Sequence, residues 1–544
     1  MAWKDVQTPR PFVKVAGDGG VQDVLASAFG ILAGRSDGNT LDQLLETTPT
    51  GRRVFVNDDC WWLYTDLQCH FHSLYGWRPF AGRDIRQADF STWSAGFLDQ
   101  VTEESREYLA AAFKLRNAPP VGWLPAQYSE TDKHFMNKSP SMFYCNCVAD
   151  EETWAFDEDP KYPGYHLFGH FGDHDLNPDY PLMNCISATD WMLWQRDAQA
   201  AKEYLPRIER FLSALEGKSD ASGYFLFGPQ GSQMEYGHAG WRRQSSTHLY
   251  YWKVLENVGE VYAMLGQDDA SRRYRDAAEA AGERLRRFES PQGILVSGYS
   301  EDFSRTYGSG RMDGGESAYL EGWPNVNAAV LGWMSAERGR RLAERFEAVP
   351  AFSENHLTVS NYPERPADEL DPDHDGFPPP GTHLNGGFFW MHGGSALWMY
   401  VRARHPQTLE RLEELLEDHS RHLSVDYYND WGRNKHEQFK DHPKETHSVT
   451  CAGAPGHFFR AAFGLTALAN SLRIAPASLP QIERFEMLEP VSWGGKELML
   501  AVSGEGTVRR VTLDGSEIAM ESPDKVEIPF EKLADRAMLE VELG

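Results

Sequence analysis

The chain has 544 residues, 41% hydrophobic and 24% charged, and 53 basic against 80 acidic residues leave a net charge of −27. That charge repels a phosphate backbone, which excludes nucleic acid as the expected partner, while 17 Trp, 22 Tyr and 29 Phe exclude disorder as the main state. No apolar run approaches the ~18 residues of a membrane span, and MAWKDVQTPRPFVKVAGDGG lacks the apolar core of a signal peptide, so the expectation is a cytoplasmic protein.

In chain order, helical periodicity predicts helices over about 21–34, 61–76, 91–116, 182–198, 200–216, 247–266, 268–288, 324–334, 336–347, 385–404, 406–423 and 450–472. From about 480 the pattern becomes short alternating runs such as ELMLAVSG and MLEVEL, with the turn pair Asp514-Gly515. The predicted division is therefore residues 1–478, helical, and 479–544, a small β-domain. The six cysteines form no CxxC pair or regular framework, and reduced thiols are expected.

Several links between predicted helices are very short, near 198–200, 266–268, 334–336 and 404–406. Short links force antiparallel hairpins. Between them lie long connections, about 117–181, 217–246, 289–323, 348–384 and 424–449, rich in Trp, Tyr, His, Arg and Gly. Alternating short and long links put the long ones at one end, so the expected fold is mainly α: an (α/α)6 barrel with a small C-terminal β-domain. A solenoid of hairpins shares the short links, but it predicts similarity at a fixed period, which the sequence lacks.

The long connections hold the candidate chemistry. In the first, His166, His170 and His174 have the spacing of ligands on a helix, but Gly169 and Gly172 argue against a helix there, and no metal is expected. The second holds Glu235 among Gly231, Gly237 and Gly240, followed by Trp241, Arg242 and Arg243. A carboxyl partly desolvated in such surroundings keeps its proton, as a general acid requires; the alternative is a surface pair with Arg242 or Arg243. The third offers Asp302, Arg305, Tyr307, Arg311, Asp313 and Trp323, a mixture suited to hydroxyl-rich ligands. In the fourth, Asp371, Asp373, Asp375 and Gly376 imitate the opening of a calcium loop, but Thr382 stands where an EF-hand needs Glu; His383 follows. The fifth contains Tyr428, Trp431, His436, Glu437 and Glu445, where either Glu is a candidate second carboxylate.

The segment HEQF, a gap, then SVTCAGAPGHFFRAAFG (residues 436–464) resembles the last loop and helix of glucoamylases, and the S-V-T opening is similar to that of α-L-rhamnosidases and cellobiose-phosphorylase-like enzymes. MEYGHAGW, with the hairpin after it, looks like the acid-bearing loop of these barrels. The resemblance implies Glu235 as general acid and Glu437 as general base. It departs from the pattern where W-E-E is reduced to M-E-Y and where Val449 replaces Trp.

The expected function is hydrolysis of an oligosaccharide or glycoside by an inverting mechanism that needs no cofactor. Inversion places the two carboxyls about 6.5–9.5 Å apart. Trp241, Arg242, Asp190, Asp313, His383, Tyr428 and Trp431 are the candidate sugar contacts, with Asp190 alternatively packing or capping its helix. A polysaccharide lyase, a glycoside phosphorylase and a non-catalytic carbohydrate-binding protein are the competing readings.

Overall fold

The computed structural model describes residues 13–17, 45–47, 53–55, 75–80, 179–217, 219–226, 242–291, 293–304, 306–307, 320–354, 357, 361–362, 386, 390–423, 448–479, 482–488, 490–520, 522 and 525–544. The predicted helices over 21–34 and 91–116 lie outside the described residues, and of 61–76 only the start of a 3-10 helix, Tyr75–Phe80, lies inside. The others are present as α1 (Asp179–Gln195), α2 (Ala198–Glu216), α3 (Ser245–Met264), α4 (Asp268–Arg286), α5 (Gly322–Val330), α6 (Ala336–Ala348), α8 (Trp390–Ala403), α9 (Thr408–Leu423) and α10 (Ser448–Phe463), with a short α7 at Pro350–Ser353. No described helix is long and apolar enough to cross a membrane.

Burial sorts the helices into two kinds. Every residue of α5 is buried, and α3 is buried from Ser245 to Trp252 without a break. By contrast α6 buries only Gly339, Leu342, Ala343 and Phe346, the one-sided stripe of a helix with a solvent face. The inner helices α1, α3, α5, α8 and α10 meet in that order. Asn257 of α3 donates to Thr189 Oγ1 of α1 at 3.1 Å, and Asn327 of α5 donates to the Tyr250 hydroxyl of α3 at 2.6 Å. Trp323 of α5 meets His392 of α8 edge-on at 5.3 Å, and Trp398 of α8 meets His457 of α10 at 5.7 Å. The partners in each pair lie at similar depths from the first residues of their helices, so the inner helices run parallel. Arg460 on α10 then reaches Asp190 on α1 with both guanidinium NH2 groups, at 2.8 and 3.0 Å.

Each inner helix stops in the same way, with a left-handed residue that lets the chain reverse: Arg196, Gly266, Gly332, Arg404 and Gly464 all have φ between 54° and 84°. Gly464 corrects the predicted helix 450–472, which ends at Phe463. The apolar periodicity of LTALANSLRI is that of strands: Leu465–Ala467 pairs with Ser471–Ile474, which in turn pairs with Val526–Pro529.

These three strands form the smaller sheet of the β-unit. Its larger sheet also takes a strand from the far end of the chain: Val13–Gly17 pairs antiparallel with Ile482–Met487, followed across the sheet by Lys496–Ser503, Arg536–Leu543, Val508–Leu513 and Ser516–Glu517. This unit docks on the C-terminal ends of inner helices. Trp493 Nε1 donates to Leu193 O at 3.1 Å and Gly494 N to Trp194 O at 2.8 Å, satisfying carbonyls that the end of α1 leaves without helical partners. Ala469 is gripped on both sides, its N–H by Glu260 of α3 at 3.0 Å and its carbonyl by Arg196.

Two consequences are measurable by denaturant unfolding. Asp190→Ala leaves a buried guanidinium without its counter-charge and is expected to cost about 3–5 kcal/mol, whereas Asp190→Leu combined with Arg460→Met costs much less. A Cβ at Gly464 would lie 1.9 Å from Ala475 O, while one at Gly332 meets nothing within 4 Å. Gly464→Ala is thus expected to destabilise by clearly more than the ~1 kcal/mol of a left-handed alanine alone, and Gly332→Ala by about that amount.

Candidate functional site

In sequence the long connections lead into the inner helices, whose first turns lie at the end opposite to the docked β-unit. These first turns are where the interior turns polar. Asp179 opens α1 fully buried, and its two carboxylate oxygens accept from Ser246 Oγ at 3.0 Å and Thr247 Oγ1 at 2.6 Å in the first turn of α3. Asn325, Asn327, His248 and His392 are buried at the same level of α3, α5 and α8. Buried polar groups are retained where hydrogen bonds engage them: Asp179 and Asn327 tie neighbouring helices together, while His248, Asn325 and His392 fasten connections.

Two of these fastenings are equivalent. After α2 the chain makes a tight turn in which Asp220 Oδ1 accepts from Ser222 N and Tyr224 N, Gly223 takes φ 78°, and Phe225 pairs with Ser219. After α4, Ser290 Oγ accepts from Ile294 N, Gly293 takes φ 75°, and Leu295 pairs with Glu289. The fourth residue of the following inner helix then seizes the backbone beyond the glycine. His248 Nε2 accepts from Phe225 N at 3.3 Å, and Asn325 accepts from Leu295 N at 2.8 Å and donates to Leu295 O at 3.1 Å.

Arg243 closes the first turn from the side. Its guanidinium pairs with Asp220 at 2.6 Å, donates to Glu301 O at 2.9 and 3.0 Å, and lies over the Phe303 ring. Burial works to raise the Asp220 pKa, but the two backbone N–H groups and Arg243 outweigh it and hold the carboxyl below its ordinary value. Of the two arginines considered as partners for Glu235, Arg243 is thus engaged by Asp220. Arg242 stands in the strand Arg242–Gln244, opposite Ser300.

Asp190 is the sequence-predicted sugar contact whose side chain is described, and it is buried in the pair with Arg460. Arg460 also donates to Tyr75 O at 2.7 Å and stacks over the Tyr75 ring at 4.1 Å. Trp323 packs in the interior against His392, because α5 is buried on all sides. Asp302 is an exposed cap of its own turn, its pKa drawn down to about 2 by bonds from Ser304 and Ser300. Glu235, Trp241, Asp313, His383, Tyr428, Trp431, Glu437 and Glu445 lie outside the described residues, as do His166, His170, His174 and the Asp371–Asp375 segment. Among the described residues no cluster of His, Cys, Asp or Glu is placed to hold a metal ion.

The sequence reading passed over Asp179, His248, Asn325, Asn327 and His392. The signal available was their type: Asn, His and Asp at the start of otherwise apolar helices, as in GWPNVNAAV and WMHGGSALWMY. His392 shows what such placement does. Its Nδ1 faces Leu357 O at 2.7 Å and so carries the proton, and the Gly322 backbone lies so close that a Cβ there would fall 1.8 Å from Nε2. Burial pushes its pKa down to about 4. A histidine whose folded pKa lies below the unfolded 6.5 adds stability that is complete above pH 6.5 and lost as pH falls towards 4, about 3 kcal/mol in all. His392→Asn is expected to reduce the slope of unfolding free energy against pH in that window, measured by urea titration at each pH.

No protein-family model matches the chain, and no curated protein matches it. Among solved structures, a sialidase is similar at 11% identity and TM-score 0.44, over 64% of this chain and 33% of that one. A GH78 family rhamnosidase of Bacillus sp. GL1 is similar at 13% identity and TM-score 0.36, over 60% and 32%. A family GH92 inverting mannosidase from Bacteroides thetaiotaomicron VPI-5482 is similar at 12% identity and TM-score 0.35, over 97% and 60%. The chain thus spans about a third of the length of the first two.

Proposed function

We propose that this chain is a glycoside hydrolase on an (α/α)6 barrel, acting on an oligosaccharide or glycoside by inversion, with Glu235 as general acid and Glu437 as general base. The observation that carries the reading is one of chain order on the described frame. Glu235 belongs to the connection leading into the first turn of α3, and Glu437 to the one leading into α10. The first turns of these parallel inner helices lie at one end of the frame and the β-unit at the other, which supports a reading in which both carboxyls serve one site. Glycosidic hydrolysis by inversion needs two carboxyls: one group protonates the leaving oxygen while the other deprotonates a water on the opposite face of the sugar.

Trp241, Arg242, Asp313, His383, Tyr428 and Trp431 belong to the same set of connections and supply the sugar contacts in this proposal. The β-unit and the buried pair at Asp190 serve the frame.

The test is a screen of aryl glycosides and short oligosaccharides, with the product anomer followed by NMR before mutarotation. Glu235→Gln and Glu437→Gln should each lower kcat by about 100- to 10,000-fold with folding intact. Retention of anomeric configuration would overturn the inverting assignment. Sugar binding without turnover in the unmodified chain would replace the enzyme with a binding protein, and full activity in either variant would remove that residue from the mechanism.

A further inference from the structure

The clamp at His248 differs from its counterpart at Asn325 in one respect that matters chemically: an imidazole can take up a proton and an amide does not. The ring is 2% exposed, and both nitrogens are committed. Nδ1 lies 2.7 Å from Gln244 O and must donate, so Nε2 is the lone-pair nitrogen that accepts from Phe225 N. Only the neutral Nδ1–H tautomer makes both bonds.

We propose that His248 is a proton-sensitive clamp, holding the turn Ser219–Leu226 onto the first turn of α3 when neutral and releasing it when protonated. A proton on Nε2 would set two donors against each other, since the Phe225 N–H has nowhere to turn within the turn hydrogen bonds of Asp220 and Gly223. The surroundings oppose the added charge from several elements. Arg243 stands in the strand before α3 and Arg284 on α4; Phe225, Tyr224 and Phe288 pack on the ring with centroids at 4.9–5.5 Å, and Arg287 lies over the far neighbour Tyr224. Among the described residues the carboxylate that acts on the ring is Asp220, and it is already paired with Arg243. Burial first, then Arg284 and Arg243, bring the His248 pKa down to about 4 against an opposing bond to Gln244 O. Asp220 is itself held low, so as pH falls the histidine is the member of this cluster that takes up the proton at the expense of the turn.

The amide at Asn325 shows how the same clamp is built without titration. This makes His248→Asn and His248→Gln the informative variants, because each offers an acceptor to Phe225 N that does not protonate.

Hydrogen–deuterium exchange of the full chain, read on peptides covering 219–226 and corrected for intrinsic pH dependence, tests the clamp. In the unmodified chain, protection should hold constant above pH 6.5 and fall about 10-fold per pH unit from there towards pH 4. The peptides covering Leu295, clamped by Asn325, should show no such step. His248→Asn or His248→Gln should abolish it at 219–226. Protection of 219–226 that stays flat down to pH 4.5, or a variant with the slope of the unmodified chain, overturns the proposal. Should both variants fail to fold, the NMR titration of the His248 Cε1 proton in the unmodified chain decides: protonation without loss of protection at 219–226 overturns it, and coincident midpoints support it. The readout is backbone exchange, so the result stands apart from the glycosidase reading.

Discussion

One buried ion pair ties the two ends of the described helical frame together. Asp190 and Arg460 stand 270 residues apart on the first and last of the described inner helices, and neither charge has water to return to. Desolvating two such ions costs several kcal/mol each, and the attraction between them repays this only when the geometry is good and the remaining donors are used. Here the contact is bidentate, and the guanidinium also donates to Tyr75 O and Leu465 O while lying on the Tyr75 ring. All of these partners come together only when α10 has come round to α1 and Tyr75–Phe80 is wedged beside them. The pair adds little net stability over an apolar contact of equal shape, but a chain that does not close leaves charges stranded.

What lies between those two helices is repetition of geometry rather than of residues. The five left-handed stops use Gly three times and Arg twice. The turns after α2 and α4 are capped by Asp220 in one case and Ser290 in the other, and clamped by His248 and Asn325. Outer helices are joined by a carboxylate that also takes an inner tyrosine: Glu209 of α2 accepts from Tyr262 and Tyr274, and Glu347 of α6 accepts from Tyr400 and Arg411. Each device asks only for an acceptor, a donor or a permissive backbone, and several residue types meet each demand. A comparison of letters at a fixed period therefore finds nothing, although the hairpins share one construction.

The same logic separates what was legible in the sequence from what was not. The hairpins could be read because the stripe Gly339, Leu342, Ala343, Phe346 and the short links are local signals. The end of α10 was misread because apolar residues continue past Gly464 at a spacing that suits either structure; the deciding fact is Ala475 O against the glycine, a contact between segments. Val13–Gly17 joined to Ile482–Met487 is likewise invisible to a reading that moves along the chain. At the candidate site the bias ran towards loops rich in Trp, Arg and Glu. It missed Asn325 and Asn327, whose polarity inside a nine-residue buried helix was itself the signal.

The parallel inner helices also set an electrostatic condition on the chemistry. Each helix carries a partial positive charge at its N-terminus, and five of them point to the end that receives the long connections. Asp179, buried between two first turns and accepting from Ser246 and Thr247, shows that this end accommodates a carboxylate. Such a field favours the ionised form, which suits a general base and works against a general acid. A carboxyl that is to keep its proton there must be shielded by apolar surroundings strongly enough to outweigh the helix termini. The acid and base of the proposed reaction therefore need different surroundings, and in sequence they belong to two separate connections, one leading into α3 and the other into α10.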